Sequence, residues 1–374
     1  MMFIIKQKEI NNILKNISSI VEQRSLTEGS NKLIDSLYFN VNKSGITLIA
    51  SSTDIQVKSY IKGDFSKDEF IFCVNAKYLA DSVDTLPPLL DITFTQDDKN
   101  IIISCGKTKY TLTNLLADDQ EYPILNLENK EVLFSLNSDA FRKAIQSVSF
   151  AMGSNHLRYY LSGVLIRVFE QKIAFVATDT HRMSYYSISD NNIGETDKSI
   201  IIPKKTINFL ERFLANFSEN IEVSLAKDDF VVIKNNNYEI ISKLIIGAYP
   251  EYEKVLTQKH DHEIKVDTHN FKEALNRIAV MATDKFRTVN LGIEKNNLII
   301  ESKTAVNETA KTETEMKYEG KEITINFNVQ YIVEVLNKID EKETKVQFID
   351  QNSSVIFTFT GNDNYKYVLM PLRV

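Results

Sequence analysis

Few residues in this 374-residue chain are placed to do chemistry, and their spacing limits what that chemistry could be. The most suggestive polar cluster is ATDTHRM, Ala177–Met183, directly after the apolar run KIAFVA. Asp179 and His181 stand two apart, so on a turn or strand they point the same way and could be drawn as an acid–base pair. No nucleophile or metal cluster joins them, and a turn-stabilising aspartate beside a surface histidine explains the same residues. CGKT at Cys105–Thr108 invites comparison with a phosphate loop. The glycine needed five residues before Gly106 is Ile101, and no helical pattern follows, so a hairpin is expected there. His260 and His262 form an HxH pair without a third ligand, which reads as a solvated loop rather than a metal site. There is no GxSxG elbow, and 11 glycines are too few to favour a dinucleotide site. Cys73 and Cys105 cannot build a disulfide framework or a four-ligand zinc site, and each sits in an apolar, strand-like stretch as a small buried hydrophobe. RYYLSG, Arg158–Gly163, sets an arginine beside two tyrosines after the AMGSNHL loop. Such a group can stack on nucleic acid or pack at a domain edge. The apolar end YVLMPLRV is expected to dock and line a groove.

The elements that must hold these residues repeat along the chain. Ile10, Ile13, Leu14, Ile17 and Ile20 share one set of offsets with Phe141, Ala144, Ile145, Val148 and Ala151, and again with Phe271, Ala274, Leu275, Ile278 and Met281. The shifts are 131 and 130 residues, and the offsets place each set on one helical face. A second helix set recurs between them: Leu79, Ser82, Val83 and Leu86, then Ile207, Leu210, Glu211 and Leu214, then Ile332, Val335, Leu336 and Ile339. A period this long means whole domains in tandem rather than a solenoid, and two helices per domain let each be read as a duplicated half. Six helices are predicted over 6–24, 75–86, 138–151, 204–215, 268–281 and 328–339, with starts marked by Asn75, Ser138, Pro203 and Asn328. Between them the pattern turns to period two. SLYFNVNKSGITLIAS, YYLSGVLIRVFEQKIAFVAT and TVNLGIEKNNLIIESK read as hairpins, while 221–245 and 345–372 read as three-stranded meanders. Short connections make the sheets antiparallel. Boundaries fall near Pro123–Val132 and Thr257–Lys265, giving domains 1–125, 130–256 and 257–374.

Composition bounds the class. Hydrophobic content of 43% and charge of 25% suit a globular chain with proper cores. No apolar run is long enough to span a membrane, the N-terminus MMFIIKQKEI lacks a signal-peptide pattern, and a reducing cytoplasm is expected. The net charge of −6 argues against nucleic acid, but the six helices together carry +5, leaving −11 for strands and loops.

ATDTHRM, RYYLSG, AYPEYEKVL, DKFRTVNLGI and YVLMPLRV, spread over the whole chain at the proper spacing, resemble the bacterial sliding-clamp family, the β subunits of DNA polymerase III. The resemblance implies an α+β fold of three tandem clamp domains, each with two helices on antiparallel sheets. It also implies a head-to-tail homodimer closing into a ring around double-stranded DNA. Partners implied are replicative and other polymerases, the clamp loader and peptide motifs of repair factors, with no cofactor, metal, membrane or catalysis.

The family's peptide groove between its second and third domains maps here onto Leu161, Thr178, His181, Arg182, Met183, Pro250, Val255, Phe286, Asn328, Tyr331, Ser354, Val368, Met370, Pro371 and Arg373. Arg182 and Arg373 are expected to bond peptide carbonyls or a carboxylate. Thr180 stands where the family usually has glycine, and Lys254 where arginine is common. DNA contacts are implied for Arg24, Tyr159, Tyr160 and Lys205, with Lys77, Lys143 and Lys204 reaching phosphates from helix faces. The dimer seam would join Cys105–Leu112, through Lys107, Lys109, Tyr110 and Leu112, to 280–286, with Val280 and Met281. Two rivals remain at this level: a monomeric tandem-domain adaptor, and a hydrolase using Asp179 and His181.

Overall fold

The computed structural model describes all residues except 1, 22–32, 34, 98, 117–120, 155, 192, 194–195, 228, 286, 305 and 374. Among the described residues, twenty-four strands and seven helices fall into three passes of one plan. The first pass runs β1 (Met2–Lys6), α1 (Gln7–Ile17), β2 (Ser36–Asn42), β3 (Gly45–Ser51), β4 (Ile55–Lys62), β5 (Phe70–Asn75), α2 (Ala76–Asp84), β6 (Asp91–Asp97), β7 (Asn100–Cys105) and β8 (Thr108–Thr113). The second runs β9 (Lys130–Asn137), α3 (Ser138–Val148), β10 (Gly163–Phe169), β11 (Lys172–Thr178), β12 (Arg182–Ser189), β13 (Lys198–Pro203), α4 (Lys204–Phe213), β14 (Asn220–Ala226), β15 (Phe230–Lys234) and β16 (Tyr238–Lys243). A short α5 (Tyr252–Leu256) intervenes. The third runs β17 (His262–Asp267), α6 (Thr268–Ala279), β18 (Thr288–Glu294), β19 (Asn297–Lys303), β20 (Thr309–Glu315), β21 (Ile323–Asn328), α7 (Val329–Leu336), β22 (Glu343–Phe348), β23 (Val355–Phe359) and β24 (Asn362–Leu369). Each pass is a strand, a helix and three strands, done twice.

All six predicted helices form. Asn75 and Asn328 cap as expected, accepting from the Tyr78 and Gln330 amides at 3.0 and 2.9 Å. Ser138 does not cap: Asn137 accepts from Asp139 N at 2.9 Å, while the Ser138 hydroxyl donates to Phe217 O. Pro203 ends β13 and directly precedes α4, as expected. Asp267, unmarked in sequence, caps α6 through Asn270 N at 2.8 Å. That helix stops at Ala279, so Met281 lies past it and is only half-buried. The other positions of the first repeated set are buried, because one helical stripe must leave water against the sheet. CGKT forms the β7–β8 turn with Gly106 at φ +57°. His262 opens β17 and packs its ring 5.4 Å from Phe348, so it is not part of a solvated loop.

The chain divides into two compact units, 1–139 with 208–244, and 140–207 with 245–374. The second pass is split between them because the sheets run through repeat boundaries. In the first unit, β5-β2-β3-β4 continues into β16-β15-β14-β9, and β1-β6-β7-β8 stands as a second sheet. Its core stacks Phe3 on Phe94 at 4.7 Å and Phe39 on Phe72 at 4.5 Å. In the second unit, β13-β10-β11-β12 continues into β24-β23-β22-β17, and β20-β19-β18-β21 is separate. Phe271, Leu275, Ile278, Ile332 and Leu336 of α6 and α7 bury against Phe327, Phe357 and Tyr367.

The two joints have the same register. Val57 pairs with Ile240 across β4–β16, and Ser184 with Tyr367 across β12–β24. Val57 and Ser184 hold equivalent places, opposite Ala50 and Ala177 of their own hairpins. By the same hairpin matching, Ala310 of β20 corresponds to Ser184, and Tyr110 of β8 corresponds to Tyr367. β8 and β20 are the remaining strands of this kind, and both are sheet edges.

Candidate functional site

The strands β10 and β11 are apolar on both faces, with GVLIRVF and KIAFVAT almost wholly buried. An antiparallel sheet with one solvated face would alternate, so something covers the second face. On it, Ile201 pairs with Leu165, Leu165 with Val176, Met183 with Val368, and Val368 with Ile356. These six residues and Tyr252 make a separate apolar cluster, flanked by half-buried Tyr160, Tyr185, Ile245, Tyr249, Val255 and Leu256. The segment 245–256 is pinned along it: Ile245 N donates to Ile201 O at 2.9 Å and the Tyr249 hydroxyl to Val176 O at 3.4 Å. Arg167 grips Asp197 through two 2.9 Å bonds and also pairs with Glu253 of α5. Burial pushes the Tyr252 hydroxyl up to about 12, and the nearby positive charge of Arg167 only partly opposes that.

The first joint treats the equivalent positions differently. Gln56 stands where Met183 does and Lys58 where Tyr185 does. Gln56 Nε2 donates to Pro123 O at 2.8 Å and its Oε1 accepts from Leu125 N at 2.9 Å. Lys58 Nζ donates to Leu125 O at 2.7 Å. Polar side chains fasten the linker flat there. On β12 the same places are Met183 and Tyr185, which join the apolar cluster instead.

The 179–182 turn forms one wall. Asp179 Oδ1 accepts from the His181 and Arg182 amides, both at 3.0 Å, and Oδ2 accepts from Arg182 Nε at 3.0 Å. The Thr178 hydroxyl donates to Arg182 O at 2.6 Å and accepts from Thr180 N at 3.1 Å. Thr180 carries φ +79°. The carboxylate is therefore consumed by the turn while His181 is exposed, which removes the acid–base pairing of Asp179 with His181.

Arg182 departs from its expected role as a donor to peptide. Its side chain is 8% exposed and its Nη groups go to Glu334 and to Phe150 O, the latter at 2.7 Å. The guanidinium lies 4.2 Å over the Tyr331 ring and 5.4 Å over Phe150. Burial works against the charge, but Tyr367, Glu334 and Asp179 outweigh it and hold the group above the ordinary guanidinium value.

The C-terminal segment supplies the opposite rim. Met370 N donates to His181 O at 2.9 Å and Leu372 N to Asn326 O at 2.8 Å, so the segment is fixed at both ends. Met370 is 47% exposed and Arg373 is exposed, with Pro371 half-buried between them. Asn328 and Tyr331 open α7, Ser354 precedes β23 with its hydroxyl 3.3 Å from Gln258, and Pro250 and Val255 come from the pinned segment. Leu161 is buried at the end of the 156–161 turn. Lys254 is exposed and paired with Glu251. Phe286 lies outside the described residues. Sequence reasoning missed Leu165, Val176, Ile201, Tyr252 and Ile356, although strands apolar on both faces were the signal for them. The result is an apolar floor with an exposed methionine and polar rims: a surface for recognition, with no nucleophile poised over it among the described residues. Among those residues no cluster of His, Cys, Asp or Glu could hold a metal, and no helix is long and apolar enough to cross a membrane.

The residues assigned to nucleic acid lie mostly on helices. Lys77 of α2, Lys143 of α3 and Lys204 of α4 are exposed, and Lys205 is half-buried. Tyr159 is 56% exposed, its hydroxyl bonded to Ile246 O at 2.7 Å, and Tyr160 packs beside it. Arg24 lies outside the described residues. Of the residues assigned to the seam, Lys107 and Lys109 are exposed, Tyr110 and Leu112 half-buried on edge strand β8, and Val280 is 74% exposed.

Three family models match consecutive stretches: the N-terminal domain of the DNA polymerase III beta subunit over 1–126, its central domain over 135–251 and its C-terminal domain over 253–373. The chain is 26% identical over 374 residues to the beta sliding clamp of Pseudomonas putida, covering all of both proteins. It superposes on the crystal structure of the DNA polymerase III beta subunit of Pseudomonas aeruginosa with a TM-score of 0.93 at 27% identity, again over both whole chains. A Pseudomonas aeruginosa sliding clamp bound to griselimycin matches equally well, at 26% identity.

Proposed function

The chain belongs to the DNA polymerase III beta subunit family, and we infer that it is a sliding clamp whose ring is a head-to-tail pair of chains. The observation that carries the ring is the joint register. Two joints of one design occur within the chain, and one donor edge, β20, and one acceptor edge, β8, are left over. Repeating the register between chains sets Ala310 opposite Tyr110 and Glu313 opposite Lys107. Phe150 packs 5.8 Å from Tyr367 at the internal joint, and Val280 holds the place of Phe150, so Val280 meets Tyr110 in the seam. The expected seam partner of Cys105–Leu112 is thus β20 as well as 280–286. Domains of 1–125, 130–256 and 257–374 give each chain three of six repeats.

Such a ring encloses double-stranded DNA without reading sequence. Lys77, Lys143, Lys204, Lys205, Arg24, Tyr159 and Tyr160 supply phosphate and sugar contacts, while the acidic strands and loops face away. The apolar floor of Met183 and Val368, with Leu161, Val255 and Met370, takes leucine and phenylalanine anchors of short linear peptides from polymerases, the clamp loader and repair factors. Griselimycin is expected to compete for it. The protein tethers and performs no chemistry, and it works in the cytoplasm. The deciding test is retention: after loading, the protein should survive high salt on nicked circular DNA and dissociate once the circle is linearised. Equal dissociation from both forms would refute encirclement.

A further inference from the structure

We propose that Arg182 acts on peptide binding by position rather than by contact, setting the distance between the 179–182 turn and α7; this rests on the peptide-binding reading of the groove. Each nitrogen of the fork is already used, on Asp179, Glu334 and the Phe150 carbonyl, and the guanidinium also lies against the Tyr331 and Phe150 rings. With three of its five N–H groups committed in this way and the side chain 8% exposed, the fork presents little of itself to a peptide. What Arg182 touches, however, borders the groove. The next residue, Met183, is floor, the preceding His181 carbonyl holds Met370, and Thr178 fixes the Arg182 carbonyl.

The far end of the grip is α7. Glu334 lies one turn after Tyr331, and its Oε1 accepts from Gln330 Nε2 at 3.2 Å. Asn328 and Tyr331 border the groove from the start of that helix, so the Arg182–Glu334 bond ties one wall to the other. A planar fork can serve three directions at once, while an ammonium on a flexible stem serves them poorly. Arg182 and Glu334 are positioning residues.

The test uses the full chain and a labelled short peptide bearing leucine and phenylalanine, read by fluorescence anisotropy. Arg182→Lys and Glu334→Gln should each weaken binding by about tenfold, and the double variant should be little worse than Arg182→Lys alone. With methionine methyls labelled, the Met183 signal, assigned through Met183→Leu, should move in the same direction in both single variants before any peptide is added. If Arg182→Lys fails to fold, Glu334→Gln still decides the matter, since Glu334 is not a peptide contact. Wild-type affinity and an unmoved Met183 signal in Glu334→Gln would overturn the positioning role while leaving the groove intact. A wild-type chain that does not bind the peptide would overturn the groove reading along with it.

Discussion

Lys58 lies opposite Glu239 across the β4–β16 joint, Nζ to Oε1 at 3.2 Å, with both side chains about nine-tenths buried. Lys130 reaches the other carboxylate oxygen at 2.7 Å. One carboxylate thus bonds two ammonium groups, of which Lys58 is buried with it while Lys130 is partly exposed to water. Burial alone would raise the Glu239 carboxyl, but the Lys130 hydrogen bond and the two positive charges hold it below the usual range. Glu239→Ala should cost about 3 kcal/mol, because it leaves buried charge uncompensated. The pH sign follows from the lowered value. The contribution is complete above the ordinary glutamate pKa of about 4.3 and disappears as pH falls through the folded value. Urea midpoints measured from pH 7 down to pH 3 should show this acid limb in the wild type and a flatter one in Glu239→Gln. Parallel curves would remove Glu239 from the account.

Thr180 holds φ +79° in the 179–182 turn, where a β-branched side chain is strained. Glycine removes the clash but loosens the unfolded chain. The balance favours Thr180→Gly by about 1 kcal/mol. Calorimetry should find a higher melting temperature, and a lower one would mean that the threonine side chain contributes more than its backbone costs.

Sequence made the repeats legible because helix stripes and core alternation leave periodic signals. β20 left only a faint one: TAKTETE alternates alanine and threonine with charged residues, and no large apolar side chain marks its inner face. The pairing of β4 with β16 was equally hidden, since the partners are far apart in the chain and no local pattern specifies which edges meet. In the groove, Met183 and Val368 could be placed from motifs. The internal use of Arg182 could not, because a charge after a turn is ordinarily solvated, and burial here depends on Glu334 and Tyr331 from another repeat.

The seam register can be broken and restored. Lys107→Glu sets two carboxylates opposite each other at Glu313 of the neighbouring chain, and Glu313→Lys sets two ammonium groups there. Each variant alone should sediment with a weakened dimer. Both changes in one chain restore opposite charges at both seams and should recover it. Val280→Asp should dissociate the dimer outright by burying a charge against Tyr110. A Val280→Asp chain that still sediments as a dimer at low micromolar concentration would place the seam elsewhere.

Lys143 and Lys204 project from α3 and α4 with their side chains exposed, as phosphate contacts require. Binding that depends on counterion release falls with salt, and removing one lysine from a phosphate should lower the slope of log K against log salt by about 1. Lys143→Ala and Lys204→Ala should therefore weaken unloaded binding to linear duplex roughly equally for all sequences; because each change removes a lysine from both chains of the ring, each should lower the slope by up to about two units and the double variant by up to about four. Retention on closed circles should change little, because a topological link does not depend on any single charge. Sequence-dependent weakening would mean that these lysines read bases, and an unchanged slope would mean that they face away from the duplex.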